Sequence, residues 1–110
     1  LSLIEMIPAV AKIAEENRGR VPMAVASGSS REVVEKTLQT LGVSDWFDEV
    51  VSSNEVANGK PAPDVFLEAA SRIGVDPKDC VVFEDARSGI IAARAAGMEV
   101  VAVPTHLNLD

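Results

Sequence analysis

Residues 80–89 read CVVFEDARSG, an apolar run that ends in two adjacent carboxylates and then enters a turn containing a glycine. Short, β-branched apolar segments such as residues 81–83 are typical of strands inside a sheet. A lone carboxylate is costly to bury, and a second one beside it raises that cost unless water, hydrogen-bond donors or a metal cation compensates the charge. Glu84 and Asp85 therefore mark the end of a predicted strand as a place where ligands are expected.

Segments of the same kind occur repeatedly along the chain, each after an amphipathic segment that closes with a glycine. The apolar residues of the amphipathic segments follow helical spacing, the first over residues 3–18, and a closing glycine suits the left-handed residue that ends many helices. The closing glycines are Gly19, Gly42, Gly74 and Gly97. The segments after them are MAVAS, EVVSS, CVVFED and EVVAVP. This alternation predicts an α/β fold, a Rossmann-like, three-layer, doubly wound parallel sheet.

The composition limits the class of protein. A chain of 110 residues, 47% of them apolar, is long enough for one domain with a core and too short for two. We therefore treat residues 1–110 as a single domain. No apolar run reaches the roughly 18 residues that a membrane-spanning helix needs, and Glu5 and Pro8 interrupt the start of the chain, so we expect no signal peptide.

Charge and cysteine content exclude further classes of function. Cys80 is the only cysteine, which rules out an internal disulfide or a thiolate metal site and fits a cytoplasmic protein. The net charge of −7 argues against a nucleic acid or an anionic membrane as the main partner. A small anionic ligand remains compatible, because local donors can outweigh the net charge.

Ligands of doubly wound sheets bind beyond the carboxyl ends of the strands, so the residues after each predicted strand matter most. In MAVASGSS, Ser27 closes the strand, Gly28 permits a tight turn, and Ser29 or Ser30 can cap the next helix. A hydroxyl and free backbone N–H groups at a helix N-terminus suit a phosphate or a carboxylate. Taken alone, an ordinary capped turn explains this segment better.

The second strand end leads into NGKPAPDVF. Pro61 biases Lys60 towards an extended backbone, Pro63 suits the first turn of the next helix, and Asp64 suits the positive end of that helix. A lysine braced by prolines loses little freedom on ordering, which fits an ammonium fixed towards an anion. A surface lysine in a proline-rich loop explains the segment equally well.

The third strand end is Glu84–Asp85. Two carboxylates with loop waters form the oxygen-rich site that Mg²⁺ favours, usually together with phosphate oxygens of a substrate. The alternative is a solvated acidic turn in which Asp85 caps the helix that begins near Arg87 or Ser88. Together the three strand ends supply a hydroxyl, an ammonium and a carboxylate pair, which are the groups that phosphoryl transfer uses.

These segments resemble the haloacid dehalogenase-like superfamily, in particular its β-phosphoglucomutase and sugar-phosphatase-like branch. VASGSS resembles the second motif of that family, GKPAPDVF the third and VVFEDARSGIIAARAAGM the fourth. The resemblance implies that Ser27 and Gly28 bind phosphate, that Lys60 is the catalytic phosphate clamp, and that Glu84 and Asp85 hold Mg²⁺. It also implies a small phosphorylated substrate, with sugar phosphates foremost.

The sequence departs from the family at its first motif. No Asp-x-Asp occurs in the chain, and Asp45 and Asp48 have the wrong spacing. In the family the first aspartate of that motif forms an aspartyl-phosphate, and its strand lies in the centre of the sheet, between the strands that carry Ser27 and Glu84. The helical cap inserted after that strand is absent too. The resemblance therefore implies the C-terminal portion of a core domain whose nucleophile lies outside this chain.

The missing strand would leave two inner strands without a partner, and an unpaired apolar edge is a template for aggregation. We expect a fragment of something longer that pairs with its missing N-terminal segment, an assembly with a second chain, or a sheet closed up with changed pairing. The parent would be a Mg²⁺-dependent phosphatase, and these residues alone would be inactive. A β-phosphoglucomutase-type mutase and a non-catalytic phosphate- and metal-binding module are the alternatives. A receiver-like signalling domain fits the Ser-Gly-Ser turn and KPAPD less well.

Overall fold

A computed structural model describes residues 8–103 of the chain. Within them, helices and strands alternate as predicted. The elements are α1 (Pro8–Asn17), β1 (Ala24–Ser27), α2 (Arg31–Leu41), β2 (Glu49–Ser52), α3 (Asp64–Ile73), β3 (Val81–Glu84), α4 (Arg87–Ala95) and β4 (Glu99–Ala102). The predicted start of the first helix, at residues 3–7, and the tail after Val103 lie outside the described residues.

Local sequence signals account for the helix boundaries. Ser30 is the N-cap of α2, and its side chain accepts a hydrogen bond from Val33 N, as a capping serine does. Gly42 and Gly74 follow α2 and α3 with φ angles of 74° and 70°, a left-handed conformation that costs glycine little. The predicted helix stops are confirmed at both positions.

The strands form two separate parallel pairs, β1 with β2 and β3 with β4. Val25 lies opposite Val50 in the first pair, and Val82 lies opposite Val100 in the second. The predicted α/β fold with parallel strands is confirmed. Among the described residues β1 and β3 share no hydrogen-bond ladder, so the sheet has not closed up with changed pairing. Its two halves face each other as open edges.

Helices cover the two halves unequally. The first pair packs against α3 and α2, while α4 packs against the second pair and contacts α3. The buried apolar residues form a main cluster and a smaller second cluster. The second cluster lies beneath α2 and includes Val34, Leu38 and Val43, with Trp46 and Phe47 packed against it. The buried members of the main cluster are Val51, Val65, Phe66, Ala69, Ala70, Ala92, Ala93, Ala96 and Met98.

The apolar strand β3 is not buried on both faces. Val82 packs against the main cluster, but Val81 and Phe83 are 49% and 36% exposed, and Val101 of β4 is 42% exposed. The prediction that these strands are covered on both sides is therefore wrong for this pair. The exposed side chains of β3 line the open space between the two half-sheets. No helix within residues 8–103 is long and apolar enough to span a bilayer.

The outer edge of β2, by contrast, is closed by charged side chains. Arg31 from α2 and Arg72 from α3 both donate hydrogen bonds to the carbonyl oxygen of Val50. Glu55, which follows β2, accepts from both arginines, at 2.6 Å from Arg31 Nε and 3.0 Å from Arg72 Nη2. Blocked edges protect a sheet from pairing with other chains. The members of this edge cluster are Arg31, Glu35, Glu55, Glu68 and Arg72.

The edge cluster predicts sensitivity to acid. Hydrogen bonds from Arg31, then Arg72 and Ser52, outweigh partial burial and lower the pKa of Glu55 from 4.5 to about 2. Because the folded-state pKa is depressed, the ionised carboxylate stabilises the fold above pH 4.5, and that contribution is lost as the pH falls towards 2. We expect the free energy of unfolding, measured by urea titration, to fall less steeply over this range in Glu55→Gln than in the wild type. An equal dependence of the free energy of unfolding on pH in both proteins would contradict the lowered pKa of Glu55.

Candidate functional site

Lys60 joins the two half-sheets at the carboxyl ends of β1 and β3. Its ammonium nitrogen lies 2.8 Å from Glu84 Oε2 and 3.3 Å from the carbonyl oxygen of Ala26. The side chains of Lys60 and Glu84 are only 16% and 12% exposed, so the ion pair is shielded from water. Because one ammonium reaches both strand ends, β1 and β3 present their carboxyl ends to the same site.

The loop that carries Lys60 is fixed near both of its ends. Asp64 Oδ2 accepts from Asn58 N at 3.1 Å and from Asn58 Nδ2 at 3.3 Å. Ala62 N donates to Gly59 O at 3.0 Å, a turn that encloses the lysine. The Lys60 ammonium also lies 4.9 Å from the centre of the Phe66 ring, an arrangement that favours a cation. The Lys60 ammonium is therefore held in one position, and its predicted role towards a bound anion stays a prediction.

Glu84 is held by donors on two sides. Its Oε1 atom accepts from the backbone N–H groups of Asp85 and Ala86 at 3.1 and 3.2 Å, while Oε2 accepts from Lys60. Burial alone would raise the pKa of Glu84, but the Lys60 ammonium and the Ala86 N–H outweigh it, and the pKa is lowered. Glu84 therefore remains an anion and fixes Lys60 in place.

Gly89, in the first turns of α4, allows Glu84 to occupy this position. A Cβ atom at residue 89 would lie 2.0 Å from Glu84 Oε2, 2.1 Å from Cδ and 2.4 Å from Cγ. These distances are too short for non-bonded atoms, so the Glu84 side chain would have to move. The sequence interpretation placed this glycine only in a turn and missed its role. A glycine inside a helical pattern was the available signal, because it often marks a close approach.

Gly89→Ala should therefore displace Glu84 and release Lys60. Alanine favours the helix by roughly 0.5–1 kcal/mol over glycine, but breaking the shielded Lys60–Glu84 pair is destabilising, so we expect a lower melting temperature, and the rates should be measured well below it. In a form of the protein extended upstream to include the first motif that this chain lacks (the upstream-extended protein), turnover of a phosphate ester should fall roughly ten- to a hundredfold, because misplacement by about 1 Å has effects of that order. Ser88→Ala, at the exposed neighbouring position, is the control and should be neutral. Undiminished turnover in Gly89→Ala would refute this role of the glycine.

Asp85 follows Glu84 as an exposed carboxylate. It is not the cap of α4, since the N-cap is Ala86 and no side-chain capping bond is present there. Partial burial and the adjacent Glu84 carboxylate raise the pKa of Asp85. The alternative of a helix-capping acidic turn is therefore not what the structure shows, and two neighbouring like charges remain that a cation would stabilise.

The acidic pair fits a magnesium ion that takes its remaining ligands from water and substrate. Within residues 8–103, no group of three or more His, Cys, Asp or Glu side chains is placed to enclose a metal ion. Magnesium commonly takes one or two carboxylates and completes its octahedron with water and substrate oxygens, so a pair of acids at an open edge suffices. The exposed Asp85 carboxylate is more accessible to a metal ion, whereas Glu84 is already paired with Lys60.

The turn after β1 adjoins the same site. Ser27 and Gly28 follow Ala26, whose carbonyl binds Lys60. Ser27 Oγ accepts from Ser29 N at 3.0 Å, so the hydroxyl is held at the turn. The backbone carbonyl of Gly28 accepts from Ser53 Oγ at 2.8 Å. The structure thus brings Lys60 and Glu84 into contact, and the Ser27–Gly28 turn directly follows Ala26, whose carbonyl accepts from Lys60.

A cleft of about 820 Å³ separates the two half-sheets. All four residues of β1 and all four of β3 line it, α3 contributes Phe66, Ala69, Ala70 and Ile73, and residues of α1 and α2 complete its wall. Its walls are mainly apolar, and the Lys60–Glu84 pair lies at one end. The open edges of β1 and β3 make the cleft suitable for an extended segment that pairs with both strands.

The described residues supply charge stabilisation but no evident nucleophile. A fixed ammonium, a hydroxyl beside backbone N–H groups and a carboxylate pair can bind an anionic group and stabilise charge that develops on its oxygens. Attack on such a group needs a further residue, and the sequence holds no Asp-x-Asp pair to provide it.

Known proteins are similar to this chain in sequence and in fold. The chain is 50% identical over 103 residues to fructose-1-phosphate phosphatase YqaB of Escherichia coli, a match that covers 94% of this chain and 54% of that protein. It resembles the crystal structure of β-phosphoglucomutase from Clostridium difficile with a TM-score of 0.83 at 30% identity, over 97% of this chain and 48% of that one.

A second solved structure is that of CbbY from Rhodobacter sphaeroides in complex with phosphate, with a TM-score of 0.84 at 29% identity. It matches over 93% of this chain and 47% of that one. The chain therefore spans about half the length of these proteins. Residues 2–97 match the family model described as haloacid dehalogenase-like hydrolase. The chain belongs to the haloacid dehalogenase-like hydrolase family.

Proposed function

We propose that this chain is the phosphate- and metal-binding part of a Mg²⁺-dependent phosphatase that acts on small phosphorylated metabolites, with sugar phosphates foremost. The observation that carries the proposal is the shielded Lys60–Glu84 pair at the joined carboxyl ends of β1 and β3. The relatives named as a fructose-1-phosphate phosphatase and a hexitol phosphatase support this class of substrate. A cytoplasmic setting stays a prediction.

Each site residue has a separate role in this proposal. Lys60 binds phosphoryl oxygens and stabilises the charge that grows on them in the transition state. Ser27 and the backbone N–H groups of the Gly28 turn orient the same oxygens. Asp85 would hold Mg²⁺ through its carboxylate, while Glu84 fixes Lys60 and would contribute negative charge beside the ion. The bound ion would supply further neutralisation of the phosphoryl charge.

The nucleophile belongs to a segment outside this chain. In the proposed reaction an aspartate oxygen attacks phosphorus, the bond from phosphorus to the ester oxygen breaks, and water then hydrolyses the aspartyl-phosphate to release inorganic phosphate. The cleft between β1 and β3 supports this assignment, because a strand that fills it would bring its carboxyl end beside Lys60. We infer that an upstream segment provides the strand. A strand from a second chain is the alternative.

The same site residues are compatible with two other functions. A β-phosphoglucomutase-type mutase would return the phosphoryl group to the sugar, and the likeness to a solved β-phosphoglucomutase keeps this alternative in view. A non-catalytic module would bind phosphate and Mg²⁺ without turnover. Hydrolysis is favoured over mutase activity because fructose-1-phosphate phosphatase YqaB is 50% identical to this chain, whereas the β-phosphoglucomutase is 30% identical.

Product analysis separates these functions. The upstream-extended protein encoded by the same gene would be incubated with a panel of sugar phosphates and Mg²⁺, and free phosphate and isomerised sugar phosphate would be quantified. We expect stoichiometric release of inorganic phosphate. Isomerised product without phosphate release would establish the mutase, and phosphate binding with neither product would establish the module.

A further inference from the structure

The short turn Ser53–Glu55, directly after β2, contacts one part of the candidate site and leads along the chain into another. Ser53 Oγ donates to the Gly28 carbonyl at 2.8 Å, which ties this turn to the predicted phosphate-binding turn. Glu55, two residues later, lies five residues before Lys60 and begins the segment that carries the ammonium. One short turn is thus hydrogen-bonded to the Gly28 turn and continues along the chain to Lys60.

Glu55 fixes this turn between two helices. Arg31 of α2 contacts its carboxylate through Nε at 2.6 Å and Nη2 at 3.1 Å, and Arg72 of α3 contacts it through Nη2 at 3.0 Å. Ser52 Oγ adds a hydrogen bond of 3.2 Å. The Glu55 side chain is 21% exposed, the least of the five members of the edge cluster. Its removal would leave two guanidinium groups without their shared partner.

Protection of the β2 edge accounts for the positions of the two arginines, but it does not account for the position of Glu55 between them. Arg31 and Arg72 reach the Val50 carbonyl directly, and each has a second carboxylate on its own helix, Glu35 and Glu68. The edge would therefore remain covered without Glu55. What Glu55 adds is a connection from these helices to the segment that leads to Lys60.

We propose that Glu55 is a positioning residue that sets the Lys60 ammonium relative to the Ser27–Gly28 turn, by anchoring the turn Ser53–Glu55 to α2 and α3. It touches neither substrate nor metal. The Asn58–Asp64 bonds anchor the far side of the same segment and the Ser53–Gly28 bond holds its start, so loss of Glu55 removes the contacts that tie the segment to α2 and α3. This inference rests on the proposed phosphatase function for its kinetic consequence, but its structural consequence can be measured independently.

The kinetic test compares Glu55→Gln with Glu68→Gln in the upstream-extended protein, with an aryl phosphate and saturating Mg²⁺. Glutamine keeps the size of the side chain and removes its charge. Glu68 pairs with the same Arg72 at 2.9 Å but lies within α3, which makes it a matched control. We expect kcat to fall about tenfold or more in Glu55→Gln with a smaller change in KM, since misplaced groups lose mainly transition-state contacts. Glu68→Gln should stay within about twofold of wild type in both parameters.

Amide hydrogen exchange gives a second readout that needs no turnover. Glu55→Gln should accelerate exchange in residues 53–60 at least threefold while α2 and α3 keep wild-type rates. A lower melting temperature with unchanged kcat and unchanged exchange in residues 53–60 would show that Glu55 only protects the edge, and would overturn the proposal. If the wild-type extended protein hydrolyses no phosphate ester, the proposed function fails, and the exchange rates of residues 53–60 still decide the role of Glu55.

Discussion

Lys60→Ala should lower kcat/KM of the upstream-extended protein for a phosphate ester by on the order of 10²–10³, the range observed when one fixed donor to a developing oxyanion is removed. The effect is large because this ammonium is positioned before the substrate arrives. The Glu84 carboxylate, the Ala26 carbonyl and the Phe66 ring hold it in place, and the Lys60 side chain is only 16% exposed. A group fixed in this way stabilises charge without reorganising during the reaction.

Loss of the ammonium should also affect the fold, because Glu84 is 12% exposed and would lose the cation that lowers its pKa. We therefore expect a lower melting temperature in Lys60→Ala, and the rates should be measured well below it. Lys78→Ala removes an exposed lysine from the loop before β3 and controls for the change in net charge. Near-normal rates in Lys60→Ala, with Mg²⁺ limiting, would exclude the lysine as a phosphate clamp.

Asp85→Asn should change activity and stability in opposite directions. Turnover should be nearly abolished, because the amide keeps the shape of the carboxylate but not the charge that Mg²⁺ needs. Without metal the variant should be slightly more stable than wild type. The pKa of Asp85 is raised in the folded chain by partial burial and by Glu84, so its ionised form opposes folding, and a neutral side chain removes that repulsion.

Steady-state rates over a range of Mg²⁺ concentrations and thermal melts in EDTA would measure the two effects. Asp79→Asn is the matched control, since it neutralises an exposed aspartate at the opposite end of β3. It should leave the Mg²⁺ dependence unchanged. An Asp85→Asn variant that keeps both its rate and its Mg²⁺ requirement would show that the metal is bound elsewhere.

Much of the fold follows from short-range signals. The glycines at 42 and 74 stop helices because they adopt left-handed conformations, and Ser30 caps α2 through its own side chain. Such features depend on a few neighbouring residues, so one sequence suffices to predict them. The alternation of β-branched runs with amphipathic segments likewise predicts parallel strands between helices.

The division of the sheet depends on information that no single segment contains. Val81 and Phe83 have the sequence of a buried strand, yet they line an open cleft. Their burial requires a partner strand, and pairing across a sheet is a long-range property. The resemblance to a known family supplied the expectation of a missing central strand, and the two separate strand pairs agree with it.

Pairings within the site were predicted only in part. The sequence predicted Lys60 as an ammonium facing an anion and Glu84 as part of an acidic pair facing a metal ion, but not that the two side chains bind each other at 2.8 Å. The need for glycine at position 89 arises from the approach of α4 to Glu84, a distance that becomes visible only in three dimensions. The edge cluster was missed because its charges come from α2, α3 and the turn after β2, and each appears on its own as an ordinary solvated residue.

The central claim is that these residues form half of an active site. It is tested most directly by measuring hydrolysis of an aryl phosphate, with and without Mg²⁺, by the chain of residues 1–110 and by the upstream-extended protein. The account predicts turnover only in the extended form and only with metal. Turnover by residues 1–110 alone would mean that the nucleophile lies within this sequence, and the proposed mechanism would be wrong. Absence of turnover in both forms would contradict the assignment as a general phosphatase and favour a binding module.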